Sequence, residues 1–375
     1  MRKVSLFMQS FDEGGVQTVM INLANGLVGA NNVDFVIADA KGPMISRVKK
    51  NIKIHNFKKV KFSGDYKVML SLFKFISYIR KEKPDVMIAS PGFCSVIAIL
   101  AKIITLRELR VIIIIDDKLS VMKKAKIKNR ISFYLYKIFF KYADDVVVAH
   151  KNATIDLLNN FNLSKDKVHT IYHPLVNLNT VKSTQPKYEI LSNFASQNDQ
   201  IIVTIGRLFW AKDQINIIDA LHLASQKNNK LKLIIVGTGP DLEFIEARIK
   251  KHDLVDRVMM YGFADNQYEI LKLGDLFVLP SKSEAFGIVI VEALACGLTV
   301  VATDCLSGGP REILNNGKYG YLCPTEDSKA LSEAIIKGLK SPILPKLAIS
   351  RAKDFSVEKS VYAYQKLIDK VNLHE

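Results

Sequence analysis

The chain has 375 residues, 49% of them hydrophobic, four cysteines and a formal net charge of +16. That length suggests two domains, and the apolar content can supply two cores. The cysteines (Cys94, Cys296, Cys305, Cys323) fall in no metal-type spacing, which argues against a cysteine metal centre and fits a reduced, soluble cytoplasmic protein.

In chain order, MRKVSLFMQSF opens with an apolar run too short for a signal peptide and reads as a strand near 3–8. Strands follow near 33–38, 85–90, 111–115 and 145–149, alternating with helical stretches. This rhythm predicts a parallel sheet with covering helices. The longest apolar segment, SVIAILAKIITL (95–106), is too short and interrupted to span a bilayer. Asp116 and Asp117 follow the apolar run VIIII, and Asp144 and Asp145 precede the next strand. Both pairs are expected to be structural or substrate-facing, and no metal is expected.

The charge is divided unevenly. Residues 1–175 hold 29 Lys and Arg against 14 Asp and Glu, a net of +15, while the remainder holds 24 against 23. Two basic clusters lie in that half, FKKVKF (57–62) and MKKAKIKNRISFYLYKIFFKYAD (122–144). In the second, Ile127, Ile131, Tyr134, Leu135, Ile138 and Tyr142 recur at helical spacing and are expected to pack on the domain core. Lys124, Lys126, Lys128, Arg130, Lys137 and Lys141 lie between them. Attraction to anionic lipid is worth about 1 kcal/mol per basic residue near the surface. The expectation is a peripheral protein held on the inner face of the membrane by its first domain. No helix-turn-helix, RNA-binding or zinc-finger pattern is present, so no nucleic-acid partner is expected.

A polar stretch, residues 177–200, separates the halves and reads as a low-structure hinge region. The second half predicts strands near 201–206, 231–237, 258–262, 276–280 and 299–303, with a last helix near 356–371. In IIVTIGRLFWAKD (201–213) a buried strand ends in glycine, and Arg207 and Lys212 follow at its carboxyl edge, where open α/β sheets bind ligands. Arginine can hold phosphate oxygens bidentately and lysine supplies a compact charge. The segment LFVLPSKSEAFGIVIVEALACGLTVVATD (276–304) reads strand, loop, helix, strand, with the helix from Gly287 to Ala295 and a cap at Gly297. Glu284 sits in the loop before that helix and Glu292 inside it. The helix start at Phe286, Gly287 and Ile288 can hold a phosphate. One carboxylate on either side of an anion site could grip the two sugars of a nucleotide diphosphate sugar. Two carboxylates can also cleave a glycosidic bond, but the basic residues and the helix start between them favour a diphosphate clamp.

The order of these motifs resembles glycosyltransferase family 4: GR-x4-K, G-x-G-P at 237–240, YGF at 261–263, S-x-SEAFG-x4-E and the closing FSVEKSVYAYQKL. FDEGGVQTVMINLANGL (11–27) is similar to that family's glycine-glycine loop and first helix, and residues 303–324 resemble members that build bacterial surface glycans. The resemblance implies an α/β fold of two Rossmann-like domains with parallel sheets facing across a cleft (GT-B), and a retaining enzyme. It implies an acceptor-side domain over 1–175, a linker over 176–200, a nucleotide-sugar domain over 201–355 and a helix over 356–375 crossing back. Gly15 would approach the diphosphate across the cleft, and Arg207 and Lys212 would neutralise it. Glu284 would touch the donor sugar and Glu292 the ribose. Phe286, Gly287 and Ile288 would offer backbone amides, and the Gly262–Phe263 backbone would border the base. Many members have a histidine where this chain has Asp116 and Asp117, which leaves the sugar contact in that corner open.

The resulting expectation is a metal-independent glycosyltransferase that needs no cofactor beyond its donor substrate, a nucleotide-diphosphate sugar expected to be UDP-linked. Its acceptor would be a lipid-linked or lipopolysaccharide-type glycan. A nucleotide-sugar epimerase of the same fold and a noncatalytic sugar-nucleotide-binding subunit are the rival readings.

Overall fold

A computed structural model describes residues 1–12, 14–57, 71–90, 92–115, 119–124, 127–192, 194–284 and 286–370. The chain divides into two compact units, Met1–Leu175 with the segment from Val357, and Val176–Ser356.

The first unit holds a parallel sheet of β1 (Lys3–Met8), β2 (Asn32–Ile37), β3 (Lys53–Asn56), β4 (Val86–Ala89), β5 (Arg110–Ile115), β6 (Asp145–Val148) and β7 (Val168–Thr170). Their order across the sheet is β3-β2-β1-β4-β5-β6-β7. The central strand β4 (VMIA) is apolar at every position, and its neighbours β1 and β5 depart from that only at Lys3, Ser5 and Arg110, because both faces are covered. Along β5, Val111, Ile113 and Ile115 enter one core and Ile112 and Ile114 the other, which is the period of two that a strand imposes. One core receives the helix Val357–Asp369: Tyr364, Leu367 and Ile368 pack with Met20, Leu23 and Leu27 of the helix Gly15–Leu27. The two helices approach so closely that a Cβ at Gly26 would lie 2.4 Å from Val361 Cγ2.

The second unit repeats the plan with β8 (Gln200–Ile205), β9 (Leu231–Val236), β10 (Val258–Gly262), β11 (Leu276–Leu279), β12 (Thr299–Thr303) and β13 (Tyr321–Cys323), ordered β10-β9-β8-β11-β12-β13. All pairings are parallel. These are two sheets of parallel strands in an α/β architecture, as the strand-helix rhythm predicts.

Four local expectations are corrected. β3, β7 and β13 are strands that the apolar pattern does not announce; all three are edge strands, two of them only three residues long, and none carries an apolar run longer than three residues. The stretch 177–200 is not low in structure: Asn177 caps the helix Leu178–Ser183 by accepting from the amides of Asn179 and Thr180, and a 3-10 turn follows at Tyr188–Ile190. Cys296, whose place at the end of a helix in the sequence marks it as buried, is only partly so, at the C-cap, although burial by its surroundings still pushes the thiol up to about 12.

The fourth correction concerns the helix Ile127–Phe139. Ile131, Tyr134 and Ile138 do not face the core but are 56%, 58% and 53% exposed, and Tyr142 is exposed beyond them. The core instead receives Phe133, Tyr136 and Phe140. Both sets follow i, i+3, i+7 spacing, two residues out of phase, so periodicity alone cannot choose between them. The aromatic set wins because it packs ring on ring, Tyr136 on Phe140 at 5.0 Å and Phe133 on Phe161 at 5.0 Å. Residues 58–62 of the first basic cluster lie outside the described residues, as do Asp116, Asp117 and Lys126.

Candidate functional site

In the second sheet, β8 is followed in sequence by β9 on one side, while β11 lies on the other, so the strand order reverses between β8 and β11. Ligands of open α/β sheets collect at the carboxyl ends of strands around such a point. Two loops meet there, 206–213 after β8 and 280–287 after β11.

The first loop is pinned from below. Gly206, Leu208 and Asp241 exchange backbone hydrogen bonds with the β9 loop: Gly206 N to Val236 O at 3.0 Å, Leu208 N to Thr238 O at 2.9 Å and Asp241 N to Leu208 O at 3.1 Å. That approach requires glycine. A Cβ at Gly237 (φ +142°) would lie 2.0 Å from Gly206 O, and one at Gly239 2.1 Å from Leu208 O. The G-x-G motif here thus serves loop-on-loop packing. Gln214 donates its side-chain amide to Arg207 O at 3.1 Å, and the exposed Arg207 guanidinium stands over the Phe209 ring at 5.7 Å.

The second loop is held to the first. Ser283 N donates to Ala211 O at 3.2 Å, and Ser307 Oγ donates to the Glu284 carbonyl. Thr303 Oγ1 and Cys305 Sγ both donate to Ser281 O, at 2.6 and 3.0 Å. Burial raises the Cys305 thiol above its ordinary value. On this frame Lys212 Nζ and Glu284 Oε2 form an ion pair, with side chains 22% and 13% exposed.

Gly287 then turns the chain into the helix Ile288–Ala295 in the left-handed region, φ +96°, so it is the N-cap and not the first helical residue. Gly297 stands just past the C-cap, also left-handed. A Cβ at Gly287 would lie 3.5 Å from Glu284 Cγ. The amides of Ile288 and Val289 belong to a first turn that has no carbonyl four residues back within the helix. Phe286 is buried with its ring 5.9 Å from Phe355, so only its backbone can serve a ligand. Glu292 is one turn further in, and its Oε1 accepts from Gln267 Nε2 at 2.7 Å.

Gly262 ends β10 with φ +80°, after a register shift against β9, and its carbonyl accepts from Gly237 N at 2.7 Å. Phe263 follows it into solvent, 61% exposed. Gly15 lies in the other unit, at the first position of the helix after β1. Gln214, Gln267 and Ser307 were not singled out in the sequence. Nothing in their spacing marks them, because each acts through a contact made only in the folded chain.

Away from these loops, Asp34, His55 and Glu82 place ligand-type atoms within 4.8 Å of one another. Their negative charge is already met: Lys3 Nζ is 2.5 Å from Glu82 and 3.9 Å from Asp34, and Tyr78 donates to both Asp34 oxygens at 2.8 Å. The cluster reads as a structural ion-pair network. Asp144 and Asp145 are likewise engaged, with Lys102 at 2.6 Å and Arg110 at 2.7 Å.

The loops after β8 and β11, with the helix that follows the second, thus hold an exposed arginine, an ion-paired lysine and the start of a helix, groups that can meet an anion, and the Glu284 and Glu292 carboxylates, which can accept from hydroxyl groups. Comparison with known proteins adds family evidence. Residues 13–175 match the family model described as Glycosyltransferase Family 4, and residues 189–355 match that described as Glycosyl transferases group 1. An uncharacterised glycosyltransferase of Methanocaldococcus jannaschii is 26% identical over 81% of this chain and 84% of its own. The N-acetylgalactosamine-N,N'-diacetylbacillosaminyl-diphospho-undecaprenol 4-alpha-N-acetylgalactosaminyltransferase of Campylobacter jejuni is 25% identical over 94% of each chain. Among solved structures, Anabaena HepE in complex with UDP has a TM-score of 0.81, with 21% identity over 99% of this chain and 100% of that one. The two family models follow one another along nearly the whole chain, and the protein belongs to the glycosyltransferases of family 4 with the GT-B fold.

Proposed function

We propose that this glycosyltransferase takes a sugar from a UDP-linked donor and transfers it, with retention of configuration and without a metal, to a lipid-linked or lipopolysaccharide-type glycan. The observation that carries the reading is the Lys212–Glu284 pair beside the N-terminus of the helix Ile288–Ala295. Departure of the leaving group puts negative charge on the diphosphate. Arg207, Lys212 and the first-turn amides would stabilise that charge as it develops, which is the electrostatic form of catalysis. Lys212 has three N–H donors, so it can keep Glu284 and still give one to phosphate. Glu284 would accept from donor-sugar hydroxyls. Glu292, oriented by Gln267, would accept from the ribose. The Gly262–Phe263 backbone would border the base. UDP bound to HepE and the diphospho-undecaprenol acceptor in the name of the Campylobacter enzyme support the donor and acceptor classes.

A thermal-shift series with UDP-, GDP- and ADP-sugars tests the donor, since a ligand held at a hundred times its Kd raises stability by about 2.7 kcal/mol. A UDP-sugar should shift the transition most. A flat response to all three would overturn the reading, and the anomeric configuration of the product reports retention.

The first unit is proposed to rest on anionic membrane. No helix among the described residues is long and apolar enough to cross one. The exposed Ile131, Tyr134 and Ile138 stand among Arg130 and Lys137 on one helix, with Lys141 in the 3-10 turn after it, an apolar stripe with a cationic border suited to the interfacial zone. Vesicles with anionic lipid should bind the protein, and salt should release much of it, because screening limits these charges to about 8 Å. Replacing the three exposed apolar residues with serine should weaken the remaining, salt-resistant fraction. Equal binding to zwitterionic vesicles would contradict the charge argument.

A further inference from the structure

Beside the two loops runs a groove of about 530 Å³, lined among others by Trp210, Asp213, Phe244, Arg248, Lys251 and Lys282. Its walls are the 3-10 turn Trp210–Lys212 with the start of the helix Gln214–Ser225, and the helix Leu242–Lys251. Lys282 enters it from the second loop, two residues before Glu284.

Two features of this groove are at odds with ordinary surface. Trp210, the only tryptophan of the chain, is 68% exposed, and Phe244 on the opposite wall is 71% exposed. Large aromatic rings left in water at one groove mark a contact surface. The charged groups around them, in contrast, are largely satisfied from within. Arg248 is held bidentately by Asp219 at 2.5 and 2.6 Å. Lys282 pairs with Glu326 at 3.0 Å and stands 3.7 Å from Asp213.

An anionic ligand would compete with Asp219 for Arg248 and with Glu326 for Lys282, and would meet Asp213 and Asp241 as well as Lys251. A purely apolar one would leave carboxylates and ammonium groups stripped of water. A sugar ring suits both features, because its C–H faces lie flat on aromatic rings while its rim of hydroxyls both donates and accepts hydrogen bonds. We propose that this groove is a second carbohydrate site, which holds a neutral stretch of glycan between Trp210 and Phe244.

Neither Lys212 nor Glu284 lines the groove, and the proposal rests on the preceding reading only for the expectation that glycan is present. A glycan held there would keep its chain close to the enzyme between transfers, through effective concentration and without new contacts at the reacting centre. The groove shares its loops with the donor site, since Ser283 N bonds Ala211 O at 3.2 Å.

The single tryptophan supplies the assay. Chitotriose and maltotriose, titrated into the full chain up to about 10 mM, well beyond a weak Kd of ~1 mM, should change Trp210 emission saturably. Phe244→Ser should weaken that binding about tenfold, the worth of one aromatic contact. The same variant should bind UDP by calorimetry as the parent does. A saturable response to either sugar that Phe244→Ser weakens supports the site. No saturable response to either sugar, or an undiminished one in Phe244→Ser, overturns it. Tighter, salt-sensitive binding of tripolyphosphate in the groove would overturn the charge argument. UDP binding without oligosaccharide binding would sink the second site and leave the donor reading standing. Loss of UDP binding with oligosaccharide binding intact would do the reverse.

Discussion

Lys212→Ala and Glu284→Gln should move nucleotide binding in different directions although the two side chains touch. At about 4 Å and an effective dielectric of ~20, a pair of unit charges attracts by ~4 kcal/mol before desolvation is subtracted. With side chains 22% and 13% exposed, the pair lies between a surface bridge and a buried one. Its net worth should be on the order of 1–3 kcal/mol. Lys212→Ala removes a charged donor from the diphosphate and leaves Glu284 as an uncompensated negative charge beside it. The lost hydrogen bond alone is worth about 1.5–3 kcal/mol, so UDP should bind roughly ten- to a hundredfold more weakly. Turnover should fall by about 10²–10³, as when one preorganised donor is lost. Glu284→Gln frees Lys212 from its counter-charge. Calorimetry should show UDP affinity unchanged or tighter, while turnover drops through loss of the sugar contact. Far-UV dichroism establishes that each variant is folded. If Glu284→Gln weakens UDP as much as Lys212→Ala does, the division of roles is wrong. If a folded double variant with Arg207→Ala transfers sugar normally, so is the clamp.

Glu292→Ala should weaken UDP by about tenfold yet leave 2',3'-dideoxy-UDP unchanged, because a carboxylate hydrogen bond of ~1.4 kcal/mol is lost only where the ribose hydroxyls exist; equal losses for both ligands would remove the ribose role. Gly239→Ala sets a Cβ 2.1 Å from a backbone oxygen, so thermal melting should show a loss of about 1–3 kcal/mol, and an unchanged midpoint would contradict the loop packing. At Asp145, burial opposes ionisation, but hydrogen bonds from His169 and Arg110 outweigh it and hold the carboxyl below its usual range. This contribution is complete above the ordinary aspartate value of about 3.9 and is lost as the pH falls through the folded value, so Asp145→Asn should flatten the acid limb of the stability profile measured by dichroism.

How much of this was visible in the residues depends on where the information is held. Strands such as VIIII and LFVLP announce themselves because a central parallel strand is covered on both faces and must be apolar throughout. KIHN, VHT and YLC sit at sheet edges, where that demand lapses, and a reading based on apolar runs passes over them. Loops that follow β8 and β11 could be placed because glycine ends the first strand and helical spacing begins after the second. Contact between Lys212 and Glu284, 72 residues apart, needs the strand order, and local pattern does not carry strand order. The helix Ile127–Phe139 shows the opposite failure. Its apolar stripe is visible and its aromatic stripe is too, but only ring packing against Phe161 decides which one turns inward. Gln267 carries no signal, since a glutamine at the start of a five-residue helix is ordinary until Glu292 lies beside it.

The close fit of Gly26 against Val361 has a consequence for how the chain is made. The helix Val357–Asp369 completes a core otherwise built from the first 175 residues, yet the whole of the second unit is synthesised before it. Until then Met20, Leu23 and Leu27 lack Tyr364, Leu367 and Ile368 as neighbours, and a nascent first unit carries an open apolar furrow. The second unit, by contrast, is one continuous segment whose two ends are zipped together, Val176 bridging to Ser356. It can close on the ribosome while the first unit waits. Domains usually mature in the order they emerge; here the later-born unit is the one equipped to finish first, and the earlier one stays exposed to chaperones and to misassembly until its last helix arrives.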